Sequence, residues 1–142
     1  MEQRLKALSV KQPWAYMIVT GQKTLEVRKR SLKHRGLLVI HASRTIDEVA
    51  RQYFGFESVE LPTGAALGTV CVAAEEQLSG SEMLRRRWEH RCWGPFLHGS
   101  VCLQLTSPTI FQTPTQMLGQ LRVFLVPEEA ELQIRLQLKT TV

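Results

Sequence analysis

Six short runs, either apolar or alternating between apolar and polar residues, are the feature that most constrains how this chain can fold. Their lengths and their alternating or β-branched composition predict strands rather than helices. Between them only short helices are predicted, and these do not alternate regularly with the strands. The pattern therefore favours an α+β fold, a small mixed β-barrel with short flanking helices, over a doubly wound parallel sheet. The six runs span residues 6–10, 24–28, 36–42, 66–74, 101–105 and 121–126.

Residues typical of helix ends predict three helices. Pro13 fits the first helical position, where its missing N–H costs nothing, and Gly21 suits the left-handed residue that closes a helix. The first helix is therefore predicted over residues 13–20. Two further helices are predicted where a capping-box pattern precedes apolar residues at helical spacing. The two patterns are Thr45 with Glu48, and Ser79 with Glu82.

Nothing in the sequence marks a boundary between two domains. The 142 residues contain no repeat, low-complexity segment or linker, and they suffice for one domain with its own core. We divide the chain into a domain at residues 1–127 and a C-terminal tail at residues 128–142. An alternating apolar pattern in the tail favours an added strand over a helix or disorder. That pattern consists of Leu132, Ile134, Leu136 and Leu138.

Composition excludes several classes of protein. At 44% hydrophobic residues the chain is too apolar for a disordered protein, and no apolar run approaches the roughly 18 residues of a membrane span. The first residues lack the apolar stretch of a signal peptide, so we expect a soluble intracellular protein, cytoplasmic or, in a eukaryote, nuclear.

The cysteines, Cys71, Cys92 and Cys102, lack CxxC spacing, and the histidines are scattered. We expect reduced thiols, no metal site and no cofactor.

Basic charge is concentrated in the first third of the chain. Residues 1–44 contain ten Lys or Arg and two acids, whereas residues 45–142 contain eight Lys or Arg and eleven acids. In a single domain such a bias predicts a basic patch and a polyanionic partner such as nucleic acid. A bias that serves solubility alone is the competing interpretation.

Two adjacent segments form the most specific motif. The first, LSVKQPWA at residues 8–15, begins a helix at its Gln-Pro-Trp, and the second, GQKTLEVR at residues 21–28, has the pattern Gly-x-Lys-x-x-Glu-x-Arg. In this order the two segments closely resemble the ASCH (activating signal cointegrator homology) family. The resemblance continues at residues 35–43 and 67–70, and more loosely at 93–96 and 118–121.

The resemblance implies a PUA-like fold, a small β-barrel with a short helix after the first strand and a polar cleft across one side. It also implies RNA or a nucleotide as partner, with protein partners in transcription or RNA processing, and no membrane partner. Some relatives are amidohydrolases of acetylated cytidine nucleosides, and ribonuclease activity has been proposed for others. These functions are implied by the resemblance and not by spacing or composition.

The side chains of the second segment suit an anion site. Glu26 and Arg28 share one face of a strand, where Arg28 can grip a phosphate or carboxylate in bidentate fashion and Lys23 adds a point charge. Glu26 can accept hydrogen bonds from a base edge or act as a general base, so Lys23 and Glu26 are the catalytic candidates. The competing interpretation is that Glu26 and Arg28 only satisfy each other.

An amidohydrolase role is not favoured by the same segment. Glu26 occupies the position where the amidohydrolase branch carries a nucleophilic Thr. Thr24 is predicted on the same face, but two residues along a strand displace a hydroxyl by roughly 6–7 Å. Glu75 or Glu76 would have to supply the acidic partner. A ribonuclease or nucleoside amidohydrolase is therefore the alternative to the favoured function, which is RNA or nucleotide binding.

Other polar residues flank the predicted cleft. His41 ends a strand and is either an acid–base group for RNA cleavage or a hydrogen-bonded structural residue. Trp14 is either a stacking platform or a core residue, beside helix N–H groups that favour an anion. Arg85–Arg87 with Arg91 is predicted to be a solvated helix face. The predicted binding residues are Ser9, Gln12, Trp14, Lys23, Thr24, Glu26, Arg28, the exposed basic run Lys29, Arg30, Lys33 and Arg35, and His41 and Ser43.

Overall fold

A computed structural model describes residues 3–77 and 101–140. Within these residues lie six strands and three helices. None of these three helices is long and apolar enough to cross a membrane. The α+β class is therefore as predicted. The elements are β1 (Lys6–Gln12), α1 (Trp14–Val19), β2 (Leu25–Arg28), β3 (Gly36–Ile46), α2 (Glu48–Tyr53), β4 (Ala65–Gln77), β5 (Val101–Gln116), β6 (Val123–Leu125) and α3 (Glu128–Thr140).

The described strands form one sheet in the order β2-β5-β4-β3-β1-β6. All neighbours are antiparallel except β1 and β3, which run parallel and place Ser9 opposite His41. The sheet does not close into a barrel, because β2 and β6 remain its two edges. β6 pairs only with residues 6–8 of β1, so the rest of that strand faces β2 across a gap. This gap becomes the cleft.

Two predicted boundaries are wrong. β3 does not end at His41 but continues through Ile46, so Thr45 lies in a strand and the predicted capping box with Glu48 does not form. The helix instead begins after Asp47, whose Oδ1 accepts a hydrogen bond of 3.0 Å from the backbone N–H of Ala50. An aspartate at the N-cap satisfies one of the unpaired donors of the first helical turn.

β5 is much longer than the five residues predicted for it. The sequence hides this length because Pro108 and Pro114 interrupt the apolar run. β2 pairs with residues 101–104 of β5, and beyond that point β4 is the one described strand that pairs with β5. Prolines, which cannot donate to a ladder, are tolerated on such an unpaired edge.

The tail forms a helix, so the predicted strand is wrong. Ala130 and Ile134 lie four residues apart and are buried in a core cluster with residues from β1, β5 and β6, and Leu138 packs against it. The other apolar residues, Leu132 and Leu136, are exposed. Acidic residues in the first turn and a lysine in the last also favour a helix.

Several predictions lie outside the described residues. They concern the helix at Ser79 and Glu82, the cluster of Arg85–Arg87 and Arg91, the resemblance at residues 93–96, and Cys92, His90 and His98.

Candidate functional site

A cleft of about 1570 Å³ lies where β1 faces β2. Its described walls also include residues 29–33 in the loop after β2 and residues 117–123, which lead into β6. Residues of β3 and Asp47, which lies just before α2, complete this part of the lining. The cleft therefore lies along the unclosed part of the sheet.

Lys23, Glu26 and Arg28 form one charged cluster in the cleft. Lys23 Nζ lies 2.6 Å from Glu26 Oε1 and also donates to the backbone carbonyl of Leu25. Arg28 holds the other carboxylate oxygen through Nε at 3.0 Å and Nη2 at 2.8 Å. The alternation of β2 places the glutamate and the arginine on one face, and the turn after Gly21 returns the lysine to the same carboxylate.

The charges of the cluster keep Glu26 ionised. Burial alone would raise the pKa of Glu26, but the positive charges of Lys23 and Arg28 and the hydrogen bonds they donate outweigh burial and lower it. Both carboxylate oxygens are engaged by these cations. Glu26 is thus a carboxylate of lowered pKa with both oxygens held, which makes it a poorer proton acceptor than a free glutamate.

Trp14 is fixed in the core and also lines the cleft. Its indole is 8% exposed, and Nε1 donates to Asp47 Oδ2 at 3.2 Å. The ring of Phe54 meets it edge-on, and the ammonium of Lys23 lies 5.7 Å from its ring centroid. A positive charge at this distance from an indole is favourable. The tryptophan therefore supports the charged cluster from beneath.

Ser9 and His41 form a second polar pair. Ser9 Oγ lies 2.9 Å from His41 Nδ1, and His41 Nε2 lies 2.8 Å from the carbonyl oxygen of Met117. A Cβ added at Gly119 would lie 2.9 Å from Ser9 Oγ and 2.7 Å from the imidazole ring, so any larger residue there would displace the pair or the segment. Arg28 Nη2 connects this pair to the charged cluster through the carbonyl oxygen of Ser9, at 3.4 Å.

The rim of the cleft is strongly basic. Eight Lys or Arg and two acids line the cleft among the described residues, and both acids are engaged within the protein. Six of the cations are exposed: Lys11, Lys29, Arg30, Lys33, Arg44 and Arg122. Three of these, Lys11, Arg44 and Arg122, were not among the binding residues predicted from the sequence. The charge excess of residues 1–44 includes Lys11 and Arg44, but no motif indicates Arg122.

Three of the predicted binding residues do not line the cleft. Gln12 is fully buried, where its amide donates to the carbonyl of Pro62 and accepts from the N–H of Tyr16. That acceptance occupies one of the helix N–H groups considered for an anion. Thr24 is exposed outside the cleft, and Arg35 pairs with Glu75 at 3.1 Å.

The two acids proposed as partners of a catalytic residue also lie outside the cleft. Glu75 accepts from Ser31 and Arg35, and Glu76 accepts from Gln104. Ser43 does line the cleft. In the described part of the chain no group of three or more His, Cys, Asp or Glu could hold a metal ion.

The protein is a small α+β domain whose open sheet carries a basic cleft beside a Lys–Glu–Arg cluster. Residues 8–86 match the ASCH domain family, which covers more than half of the chain. The chain belongs to the ASCH domain family. None of the curated proteins compared with this chain matches it.

Solved structures share the fold over nearly the whole chain. The crystal structure of ASCH from Zymomonas mobilis is 17% identical and covers 96% of each chain, with a TM-score of 0.63. Two mutants of that protein are 16% and 15% identical, with TM-scores of 0.63 and 0.58. They cover 94% and 95% of this chain and 97% and 96% of their own. At this level of identity the likeness supports the fold alone.

Proposed function

We propose that this ASCH domain binds single-stranded RNA or nucleotides in the cleft between β1 and β2. The observation that carries the proposal is the charge of the cleft, where eight cations face two acids that are already engaged within the protein. Exposed cations that outnumber acids on one surface attract a polyanion and release its counterions on binding. The phosphates would lie along the exposed cations of the loop after β2.

Arg28 is the residue best placed to orient a bound phosphate. Its Nε and Nη2 atoms hold Glu26, and no bond from Nη1 is formed within the described residues. A guanidinium fixed on one side presents its remaining donors, those of Nη1, in a set direction, so that they can orient a phosphate oxygen. Lys23, which is 3% exposed, adds charge from beneath but does not reach the surface.

Fluorescence anisotropy with a labelled single-stranded RNA tests the proposal. We expect saturable binding. The logarithm of the association constant should fall linearly with the logarithm of the salt concentration, with a slope of roughly −0.7 for each phosphate contacted. Unlabelled nucleotide and double-stranded DNA, as competitors, would separate a nucleotide site from a general polyanion surface. An affinity that does not change with salt, or an absence of binding at about 50 mM salt, would contradict the proposal.

The alternative function, a ribonuclease or nucleoside amidohydrolase that uses Lys23 and Glu26, has less support from the geometry. Both carboxylate oxygens are held by cations, and the pKa of Glu26 is lowered, so the group accepts a proton poorly. Turnover of acetylcytidine or RNA by the wild type would favour this alternative over simple binding if the activity is lost in both Lys23→Ala and Glu26→Ala while these variants stay folded.

A further inference from the structure

We propose that Ser9 and His41 form a nucleophile–base pair that hydrolyses carboxylic esters of nucleotides or of other phosphorylated alcohols. The activity is distinct from RNA binding and uses neither Lys23 nor Glu26 as a reacting group. It rests on the proposed function only in that the same basic rim would hold the phosphate of the substrate.

The hydrogen bonds of His41 determine which nitrogen carries the proton. The carbonyl oxygen of Met117 can only accept, so Nε2 is the protonated nitrogen and donates to it across 2.8 Å. In the neutral imidazole Nδ1 then has a free lone pair, and the hydroxyl of Ser9 donates to it across 2.9 Å. This is the arrangement of a hydroxyl nucleophile beside its general base, with the base oriented by a third group.

The surroundings keep the imidazole neutral. Burial lowers the pKa of His41, and the hydrogen bond with Met117 opposes this effect only in part. His41 is 2% exposed, whereas Ser9 is half-buried and lines the cleft. A ligand in the cleft can therefore approach the hydroxyl, while the base behind it remains shielded from water.

Two neighbours complete the arrangement. Gly119 lies so close to the pair that a Cβ there would lie 2.9 Å from both Ser9 Oγ and His41 Nδ1, which restricts both side chains to one arrangement. Arg28 Nη2 lies 3.4 Å from the carbonyl oxygen of Ser9 and brings a positive charge beside the nucleophile. A fixed cation at this position stabilises the negative charge that develops on the carbonyl oxygen of a substrate.

The reaction balances without a metal or a redox partner. Ser9 Oγ attacks the ester carbonyl and its proton passes to His41 Nδ1; the tetrahedral intermediate then expels the alcohol, which takes that proton. Water next attacks the acyl-serine, gives a proton to the same nitrogen and releases the carboxylic acid, and Ser9 recovers its hydrogen. Since a backbone carbonyl and not a carboxylate orients the imidazole, an ester with its better leaving group is a more suitable substrate than an amide.

A fluorophosphonate probe, which forms an Oγ–P bond and expels fluoride, tests the nucleophile directly. We expect intact-mass spectrometry to show one adduct on the wild type and peptide mapping to place it on Ser9. Ser9→Ala and His41→Gln should abolish the adduct, whereas Ser58→Ala, which removes an exposed hydroxyl outside the cleft, should leave it unchanged. Labelling of another residue, or no labelling of the folded wild type, would overturn the proposal even if a variant failed to fold.

Hydrolysis of 2′(3′)-O-acetyl-AMP, followed by chromatography, tests the substrate class. Loss of the nucleophile or of the base should lower the rate by roughly 100-fold or more. RNA binding measured on the same samples separates the two proposals. Ser9 labelling without RNA binding would refute only the proposed function, and RNA binding without Ser9 labelling would refute only this inference.

Discussion

The ammonium of Lys23 lies 2.6 Å from the carboxylate of Glu26, and both residues are buried at the base of the cleft. Removing two charges from water is costly, and the contact offsets this cost only while both partners are present. The pair therefore contributes to the stability of the strand that carries Glu26.

Glu26→Gln should destabilise the protein strongly. The substitution keeps the shape of the side chain but leaves the ammonium of Lys23 buried without its counter-charge. Losing one partner of a buried pair costs about 3 kcal/mol in the free energy of unfolding, which urea titration measures. Glu48→Gln is the matched control, since that carboxylate is exposed and lies 3.8 Å from Arg51. The control should change stability by less than about 1 kcal/mol, and equal effects of the two variants would refute the burial argument.

The contribution of Glu26 to the free energy of unfolding should depend on pH. The pKa of Glu26 in the folded protein is lowered from 4.5, so its contribution is fully present above that value and is lost as the pH falls through the lowered pKa. The difference in unfolding free energy between wild type and Glu26→Gln should therefore be constant near neutral pH and shrink in acid. A difference that stays the same down to about pH 2 would contradict the lowered pKa.

Gly119→Ala should disturb the contact between Ser9 and His41. An added Cβ would lie 2.7 Å from the imidazole ring, so the segment or the ring must shift. Such overpacking costs about 1–3 kcal/mol in unfolding free energy, and it should also slow fluorophosphonate labelling. Gln120→Ala, at the exposed neighbouring position, should leave both quantities within experimental error. Normal labelling in Gly119→Ala would show that the close approach does not position the pair.

Ile134→Ala should destabilise the protein through the helix at its C-terminal end. Ile134 is fully buried against residues of the sheet, and truncation of such a side chain costs about 2–5 kcal/mol. Leu132→Ala removes as much apolar volume from the same helix, but its side chain is 64% exposed, so the effect should be below about 0.5 kcal/mol. Similar unfolding midpoints for the two variants would mean that α3 does not pack as described.

The sequence predicts the charged cluster because its contacts are local. Glu26 and Arg28 share a face by the alternation of a strand, and Lys23 is only three residues away. In contrast, the pairing of Ser9 with His41 depends on the parallel register of β1 and β3, and their close contact with Gly119 depends on a segment much later in the chain. No short-range pattern contains that information.

The errors in the fold have a similar physical origin. Leu132, Ile134, Leu136 and Leu138 alternate as a strand would, but tertiary packing selects Ile134 and Leu138, which are four residues apart as on a helix. The prolines of β5 hide a long strand because the tolerance for proline depends on which edge lacks a neighbour. Periodicity therefore predicts an element well only when the burial of its faces is also known.

RNA binding by two variants of equal net charge tests the central claim most directly. Lys29→Ala with Arg30→Ala removes two exposed cations of the cleft rim, whereas Lys6→Ala with Lys139→Ala removes two exposed cations outside it. Anisotropy titrations from about 50 to about 200 mM salt should give the rim variant a weaker affinity and a salt slope smaller by roughly 1.4 than the wild type. The control variant should keep the slope of the wild type. Equal losses in the two variants would mean that overall charge, and not the cleft, binds RNA.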